Sequence, residues 1–576
     1  MEPTASVRTR AAVVAALLPI VGLATACGGS AHDTTSTAQP TTAPATTRTA
    51  TTAAAPAPPH EFPEFRVAMD ENTDYLDPGL SDTTEGWGVM WNVYLPLLGY
   101  EHVSGPSGAK LVPYLATSLP HISRDGRTYR LTLRKGLRYS DNTPVKASDF
   151  KKTIERDFLL DSAGAGFFRN IVGAKEFAKR QKGRIRGIVV DDPTRTIIIH
   201  LAKPQGDFEN VLASEFAAPV PSGSPAADTS LNPLPSTGPY RITSYKPRSQ
   251  IVVERNPHFQ AWRFHGTVPA GNPDRVTWDI VPSAGVALRR VLKGQDDWMG
   301  YYQIPRKRLP AIAEKYGSRL QPFTPPNLMY FFMNTRVPPF DNVKVRQAVN
   351  YAISRPWLRH LDGGLAHTTE NILPPAYPSF RPHELYRHNL RKAIRLVREA
   401  GYGGKGTKRK RVFVWNHDVA ADKPFTEYLV SVLNRLGFRA TEKIVTPSSY
   451  WATIGDARTR AQIGFADWVQ DYPHPLDWFG LLDGRSITPT HNSNYSNFDV
   501  AWANRDIAAL SRPSSLPRAV DQGWADLDRK VMRLAPWAPF LNQEQTDFFS
   551  ARVDLGCYVN NVLYELDYSS ICVSKK

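Results

Sequence analysis

Only three cysteines occur in 576 residues, Cys27 near the start and Cys557 and Cys572 near the end, too few for a disulfide framework or a thiolate metal set. No Gly-x-Ser-x-Gly elbow is present, and the Gly- and Lys-rich stretch 401–410 lacks the Gly-Lys-Ser/Thr ending of a phosphate loop. His383 and His388 stand five residues apart. Five residues turn a helix by about 500°, so the two imidazoles diverge and no zinc site follows. Although the formal charge is +16, Lys and Arg are scattered among Asp and Glu, and the single concentrated run is 405–411. That pattern is a solvated surface and argues against a nucleic-acid partner. With no nucleophile, metal set or cofactor loop, neither an enzyme nor a cofactor is expected.

What is present begins at the N-terminus. Arg8 and Arg10 precede an apolar stretch, 11–23, and Ala24, Thr25 and Ala26 put small residues before Cys27. The apolar stretch is shorter than the roughly 20 residues a membrane span needs, and no long apolar run follows it. Residues 1–26 resemble a bacterial lipoprotein signal, with Cys27 acylated; the competing reading is an ordinary secretory signal with a stray cysteine. Segment 27–60 is almost wholly Thr, Ala, Pro and Ser, which cannot bury enough apolar surface to order itself and reads as a tether. The expected location is therefore outside the cell, anchored to the outer face of the cytoplasmic membrane through Cys27. In such an oxidising exterior Cys557 and Cys572 are expected to pair, closing a loop worth about 3 kcal/mol.

The length allows three or four domains or lobes at about 150 residues each. Thirteen Trp, 23 Tyr and 25 Phe exceed the ordinary needs of a core, leaving aromatic side chains to line a ligand site. A strand is expected at 65–69, then a loop over 77–88. Asp125-Gly126 signals a tight turn before the alternating Tyr129, Leu131 and Leu133. Helical spacing appears in Val345, Ala348, Val349 and Ala352 after a cap at Asp341, and again in Phe425, Tyr428, Leu429, Val432, Leu433 and Leu436 before Gly437. Short strands at 412–415 and 462–465 alternate with these helices, giving mixed α/β lobes.

Several segments, in order, resemble the peptide and nickel family of bacterial extracellular solute-binding proteins, family 5. They are Leu76-Asp77-Pro78 with Trp91-Asn92-Val93-Tyr94; Val112-Pro113-Tyr114-Leu115-Ala116; 129–136; 139–141 through 147–149; and Thr237-Gly238-Pro239-Tyr240 with Glu254-Arg255-Asn256-Pro257. They continue with Asn334-Thr335, 338–341, Val345-Arg346-Gln347-Ala348, 393–402 and 468–475. The resemblance implies an α/β, two-lobed periplasmic-binding-protein-like fold (type II, cluster C) with an extra small domain and a ligand cleft between lobes. Its division would be domain I at 61–104, 235–325 and 531–576, domain II at 105–234, and domain III at 326–530. It implies a monomeric substrate-binding lipoprotein of an ABC importer that passes a peptide or peptide-like solute to a permease with ATPase subunits. The alternative is a cell-envelope lipoprotein of the same fold that regulates glycolipid synthesis.

By the same resemblance, Asp471 would meet the ligand's terminal ammonium, flanked by Trp468 and Tyr472, with Trp451 in an aromatic wall. Thr83, Thr84 and Glu85 would offer backbone groups to an extended ligand as an added strand. Where dipeptide-specific relatives carry an arginine for the ligand carboxylate, this chain has Asn416 and His417, which puts a tightly clamped free dipeptide in doubt. His474 stands where an acidic residue is common. The competing readings are a turn cap or local ion pair for Asp471, core packing for Trp468 and Trp451, and simple turn residues for Thr84 and Glu85.

Overall fold

A computed structural model describes residues 63–574, apart from breaks at 71–72, 365, 405, 407, 419–421, 491, 513–516 and 564. Cys27, the signal segment 1–26 and the tether 27–60 lie outside the described residues. Among those described, no helix is long and apolar enough to cross a membrane.

The near lobe is built on a four-stranded sheet in the order Phe65–Met69, Arg275–Ile280, Gln250–Arg255, Tyr240–Lys246. The expected first strand is there, running parallel to Arg275–Ile280 and buried along nearly all its length because both its faces are covered. A second sheet joins His121–Ile122, Thr128–Thr132, Thr196–His200 and Ile188–Asp191. Tyr129 and Leu131 point inward while Arg130 is exposed, the alternation of a half-buried strand. Gly126, at φ +68°, makes the turn between the first two of these strands, and the Asp125 carboxylate accepts the Arg127 N–H at 3.2 Å. One continuous apolar core runs through both sheets, from Phe65 and Val67 to Phe208 and Phe216, so the small domain is packed onto the near lobe without a seam.

The distal lobe holds six strands in the order His367–Thr368, Trp537–Asn542, Asn327–Met333, Ile463–Val469, Arg411–His417, Arg439–Val445. Asn327–Met333 lies in the middle, and all seven of its residues are buried. Helix Lys423–Arg435 turns Phe425, Leu429, Val432 and Leu433 inward, as their spacing predicts, and Gly437 ends it at φ +99°. Helix Val343–Ala352 is capped by Asn342, whose side chain accepts the Lys344 N–H at 2.9 Å, one residue later than the expected Asp341.

Two other expectations are corrected. The loop at 77–88 gives way to helix Thr84–Met90, because Thr83 supplies the N-cap and Trp87, Val89 and Met90 find core to bury against. Strand Trp537–Asn542, expected in domain I from residue 531, completes the distal sheet by pairing with Asn327–Met333. Its residues Trp537, Ala538, Phe540 and Leu541 belong to the distal core.

The near-lobe and distal cores share no residue, and the chain passes between them twice, at 320–328 and 541–548. The two crossings run side by side, since Leu320–Phe323 pairs antiparallel with Gln545–Phe548 on the near side. Asn327 stitches them together at the midpoint: its Nδ2 donates to Pro325 O and Gln543 O, both at 3.0 Å, and its Oδ1 accepts the Gln543 N–H at 2.7 Å. Each of these buried groups would cost about 1–3 kcal/mol if left unmet. A single double-strand hinge is thus the only continuous covalent and sheet link between the lobes among the described residues.

Candidate functional site

Between the lobes, on the hinge, lie two adjoining chambers of about 240 and 60 Å³. The near lobe contributes Thr84, Trp87 and the C-terminal segment with Tyr558, Asn560 and Glu565; the distal lobe contributes Trp468, Val469 and Gln470; residues 322–326 of the first crossing form the back. Thr84, Val469 and Glu565 line both chambers and mark where they join. Each chamber alone falls below the usual range for ligand pockets, about 300–1,000 Å³, and only the two together reach its lower edge.

Strand Ile463–Val469 delivers the distal wall. Past its end the chain is folded back on one carboxylate: Asp477 Oδ2 accepts the Trp468 indole N–H at 3.3 Å and the Asp471 backbone N–H at 3.0 Å. Trp468 thereby lies against the smaller chamber. Asp471 is half-buried beside it and lines neither chamber, whereas Asp467, on the strand itself, does line the smaller one.

Tyr472 points the other way. Its hydroxyl donates to Asp207 Oδ2 of the small domain at 2.8 Å, and its ring meets Phe167 edge-on. Burial, with Asp207 and Asp477 nearby, holds the phenol well above its ordinary pKa, so it remains a donor. Gln470 makes a second bond across the gap, from Nε2 to Val562 O at 2.6 Å, while Tyr377 donates to its Oε1 at 2.8 Å. The lobes are therefore drawn together in this structure.

On the near side, Thr84 and Glu85 open helix Thr84–Met90 and line the chambers. Being helical, they cannot present the alternating N–H and C=O groups of an added strand, which corrects that expectation. Thr83 is committed to the helix: its Oγ1 accepts the Gly86 N–H at 3.2 Å and donates to Asp74 at 3.0 Å. Behind Tyr558 stands Asp547, which accepts the Tyr558 hydroxyl at 2.7 Å and the Trp298 indole N–H at 2.9 Å. Burial pushes its carboxyl up to about 6.

Two expected ligand residues are elsewhere. Asn416 is fully buried, its Nδ2 donating to Thr426 Oγ1 at 2.8 Å and its Oδ1 accepting the His417 N–H at 2.9 Å, so it ties the strand to helix Lys423–Arg435 and lines neither chamber. Trp451 packs against Tyr450, Tyr495 and His417 in the distal core and lines neither chamber. His474 caps helix Pro475–Phe479 by accepting the Leu476 N–H at 3.1 Å, and burial pushes its pKa down, keeping it neutral. Cys557 and Cys572 form a disulfide that encloses much of the C-terminal wall. Tyr301, Asp467 and Glu565, all of which line the smaller chamber, carry no signal in the sequence: Tyr301 and Glu565 lie outside the family motifs, and Asp467 stands one residue before the 468–475 motif.

The profile of bacterial extracellular solute-binding proteins, family 5 middle region, matches residues 110–488. The chain belongs to this family. Members of family 5 are solute-binding proteins and not enzymes. Among its relatives, the glutathione-binding protein GsiB of Escherichia coli O1:K1 is 29% identical over 498 residues, covering 83% of this chain and 88% of that protein. The solved structure of clavulanic acid biosynthesis oligopeptide binding protein 2 superposes with a TM-score of 0.82 at 25% identity, covering 89% of this chain and 95% of that one. DppA from Helicobacter pylori, in complex with the peptide STSA, shares the fold with a TM-score of 0.68 at 18% identity, over 89% of this chain and 98% of its own. The two-lobed architecture of family 5 is thus the fold of this chain.

Proposed function

We propose that the protein is the receptor of an ABC importer for a short peptide or peptide-like solute, captured in the chambers on the hinge. The observation that carries this reading is that two lobes with separate cores, linked covalently among the described residues by a paired crossing, both line the chambers. A ligand that touches both lobes favours closure, because only differential contacts can shift such an equilibrium. Relatives named for glutathione and oligopeptides give the ligand class. Trp468, Thr84 and Glu85 supply its walls, and Asp471, half-buried beside Trp468 and outside the chamber lining, is proposed to meet the ammonium of a ligand that extends past Trp468.

In this reading the small domain around 105–234 buttresses the near lobe, Cys27 carries the lipid anchor outside the cytoplasmic membrane, and the monomeric closed form docks on a permease with ATPase subunits. Native mass measurement of the purified protein, followed by calorimetry with tripeptides, tests the proposal. A bound peptide mass, or dissociation constants in the micromolar range or below, is the expected result. Asp471→Asn should then weaken binding by about 1.5–3 kcal/mol. Absence of binding by every peptide tried would remove the reading.

A further inference from the structure

Asp547 stands on the second crossing strand, opposite Gln321 of the first, and is 6% exposed. It lines neither chamber, yet both its oxygens are committed to side chains of the near lobe. Oδ2 accepts the Tyr558 hydroxyl at 2.7 Å and Oδ1 accepts the Trp298 indole N–H at 2.9 Å. An indole can only donate, so Oδ1 has to remain an acceptor whatever the charge on the group. The Asn560 amide is close enough to act on both Asp547 and Tyr558. Tyr558 and Asn560 belong to the wall of the larger chamber, in the loop that the disulfide closes. The other titratable groups of this neighbourhood are Tyr301, on which Asp547 acts, and Glu565, which acts on Tyr558.

Resting on the peptide reading above, we infer that Asp547 is a positioning residue of the larger chamber. By drawing the Tyr558 O–H to itself it leaves that wall a hydrogen-bond acceptor, and so selects a solute that presents an N–H group, amide or ammonium, to Tyr558. An ionised carboxylate has no proton to give, so the phenol O–H has to point at Oδ2 and its oxygen offers the chamber only lone pairs. A bond to an ionised acceptor is roughly twice as strong as a neutral one, which fixes the hydroxyl in that direction. Protonation reverses the arrangement. With Oδ1 held by Trp298, the proton goes to Oδ2, the acid donates to the phenol oxygen, and the Tyr558 O–H turns away to donate toward the chamber. Burial pushes the Asp547 carboxyl up to about 6, so both arrangements fall within the pH range of the folded protein. A ligand N–H at Tyr558 is therefore matched above that pH and meets a competing donor below it.

Calorimetric titration of the full chain with Ala-Ala-Ala between about pH 5 and 7 tests this, because neither end of that peptide titrates appreciably in the interval. Affinity should rise about three- to tenfold from the lower pH to the higher, the worth of one hydrogen bond. The rise should be absent from Tyr558→Phe and from Asp547→Asn, each checked for an unchanged far-ultraviolet spectrum. A general loosening of the fold in acid would not mimic the effect. The buried acid binds its proton more tightly folded than unfolded, so as the pH falls from about 6 toward 3.8 the wild type gains stability relative to Asp547→Asn while its affinity declines. Thermal melts of both proteins at each pH read that difference. An affinity that does not change with pH, or a rise that persists in either variant, overturns the inference and leaves the peptide reading standing. Failure of Ala-Ala-Ala and of every other peptide to bind at any pH overturns both.

Discussion

At the scale of single residues, the site depends on side chains that hold the lobes together as much as on those that face the ligand. Tyr472 is the clearest case. Its hydroxyl reaches Asp207 across 265 positions of sequence, and Asp207 is 3% exposed with its other oxygen unbonded. Tyr472→Phe would leave that carboxylate buried with no partner in the closed form but free to meet water in the open one. Losing a hydrogen bond to a buried charge is worth about 1.5–3 kcal/mol, so ligand affinity should fall roughly 10- to 100-fold with little change in the melting temperature of the separate lobes. Calorimetry and a thermal melt on the same variant check both halves, and unchanged affinity would mean that the bond plays no part in closure. Tyr472 stands out in the sequence by its motif, but its partner does not, because nothing local ties 472 to 207. For Asn416 the same lack of distant information misled: a polar residue ending a strand reads as available for a ligand until the Thr426 hydroxyl is seen against it.

Among elements, the crossing strands and the C-terminal loop decide how the walls stand. The disulfide joins cysteines 15 residues apart, and the loop it closes contains Tyr558, Asn560, Asn561, Val562, Leu563 and Glu565 of the chamber wall. Closing a loop of that length contributes about 3 kcal/mol through unfolded-state entropy. Reduction, or Cys557→Ser with Cys572→Ser, should lower near-lobe stability by about that amount and weaken ligand binding too, because the wall loses one of its ties. Chemical denaturation and titration before and after reduction provide the check, and a stability loss with no change in binding would show the wall to be held by its other bonds alone. Those other bonds are present: Asn561 Nδ2 donates to Glu101 O at 3.0 Å and to Gly108 O at 3.1 Å. Elements with strong periodicity were readable in advance, as with helix Lys423–Arg435, because its buried face repeats within one segment. Helix Thr84–Met90 was not, since its two glycines and short length lower its local propensity and its stability comes from tertiary burial of Trp87, Val89 and Met90.

For the molecule as a whole, two independent cores on a two-strand hinge make relative motion of the lobes the cheapest large rearrangement available. Opening would break the Tyr472–Asp207 and Gln470–Val562 bonds and expose the chambers, while leaving both sheets intact. Small-angle scattering should therefore show a smaller radius of gyration with saturating ligand than without, and the difference should vanish if the hinge is locked. Identical scattering curves in the two states would argue against capture by closure.

The sequence by itself determined the class of the protein: the order and spacing of its motifs pointed to family 5, and its apolar periodicities marked the longer strands and helices. Those properties are local, or are carried in the order of short segments, and so survive in a one-dimensional reading. Which carboxylates line the chambers was decided only by the tertiary structure. Glu85, Asp467 and Glu565 come from three distant segments of the chain and line one chamber because two lobes, each folded around its own core, are joined by a pair of crossing strands. Convergence of that kind is a property of packing between lobes, and no window of sequence contains it.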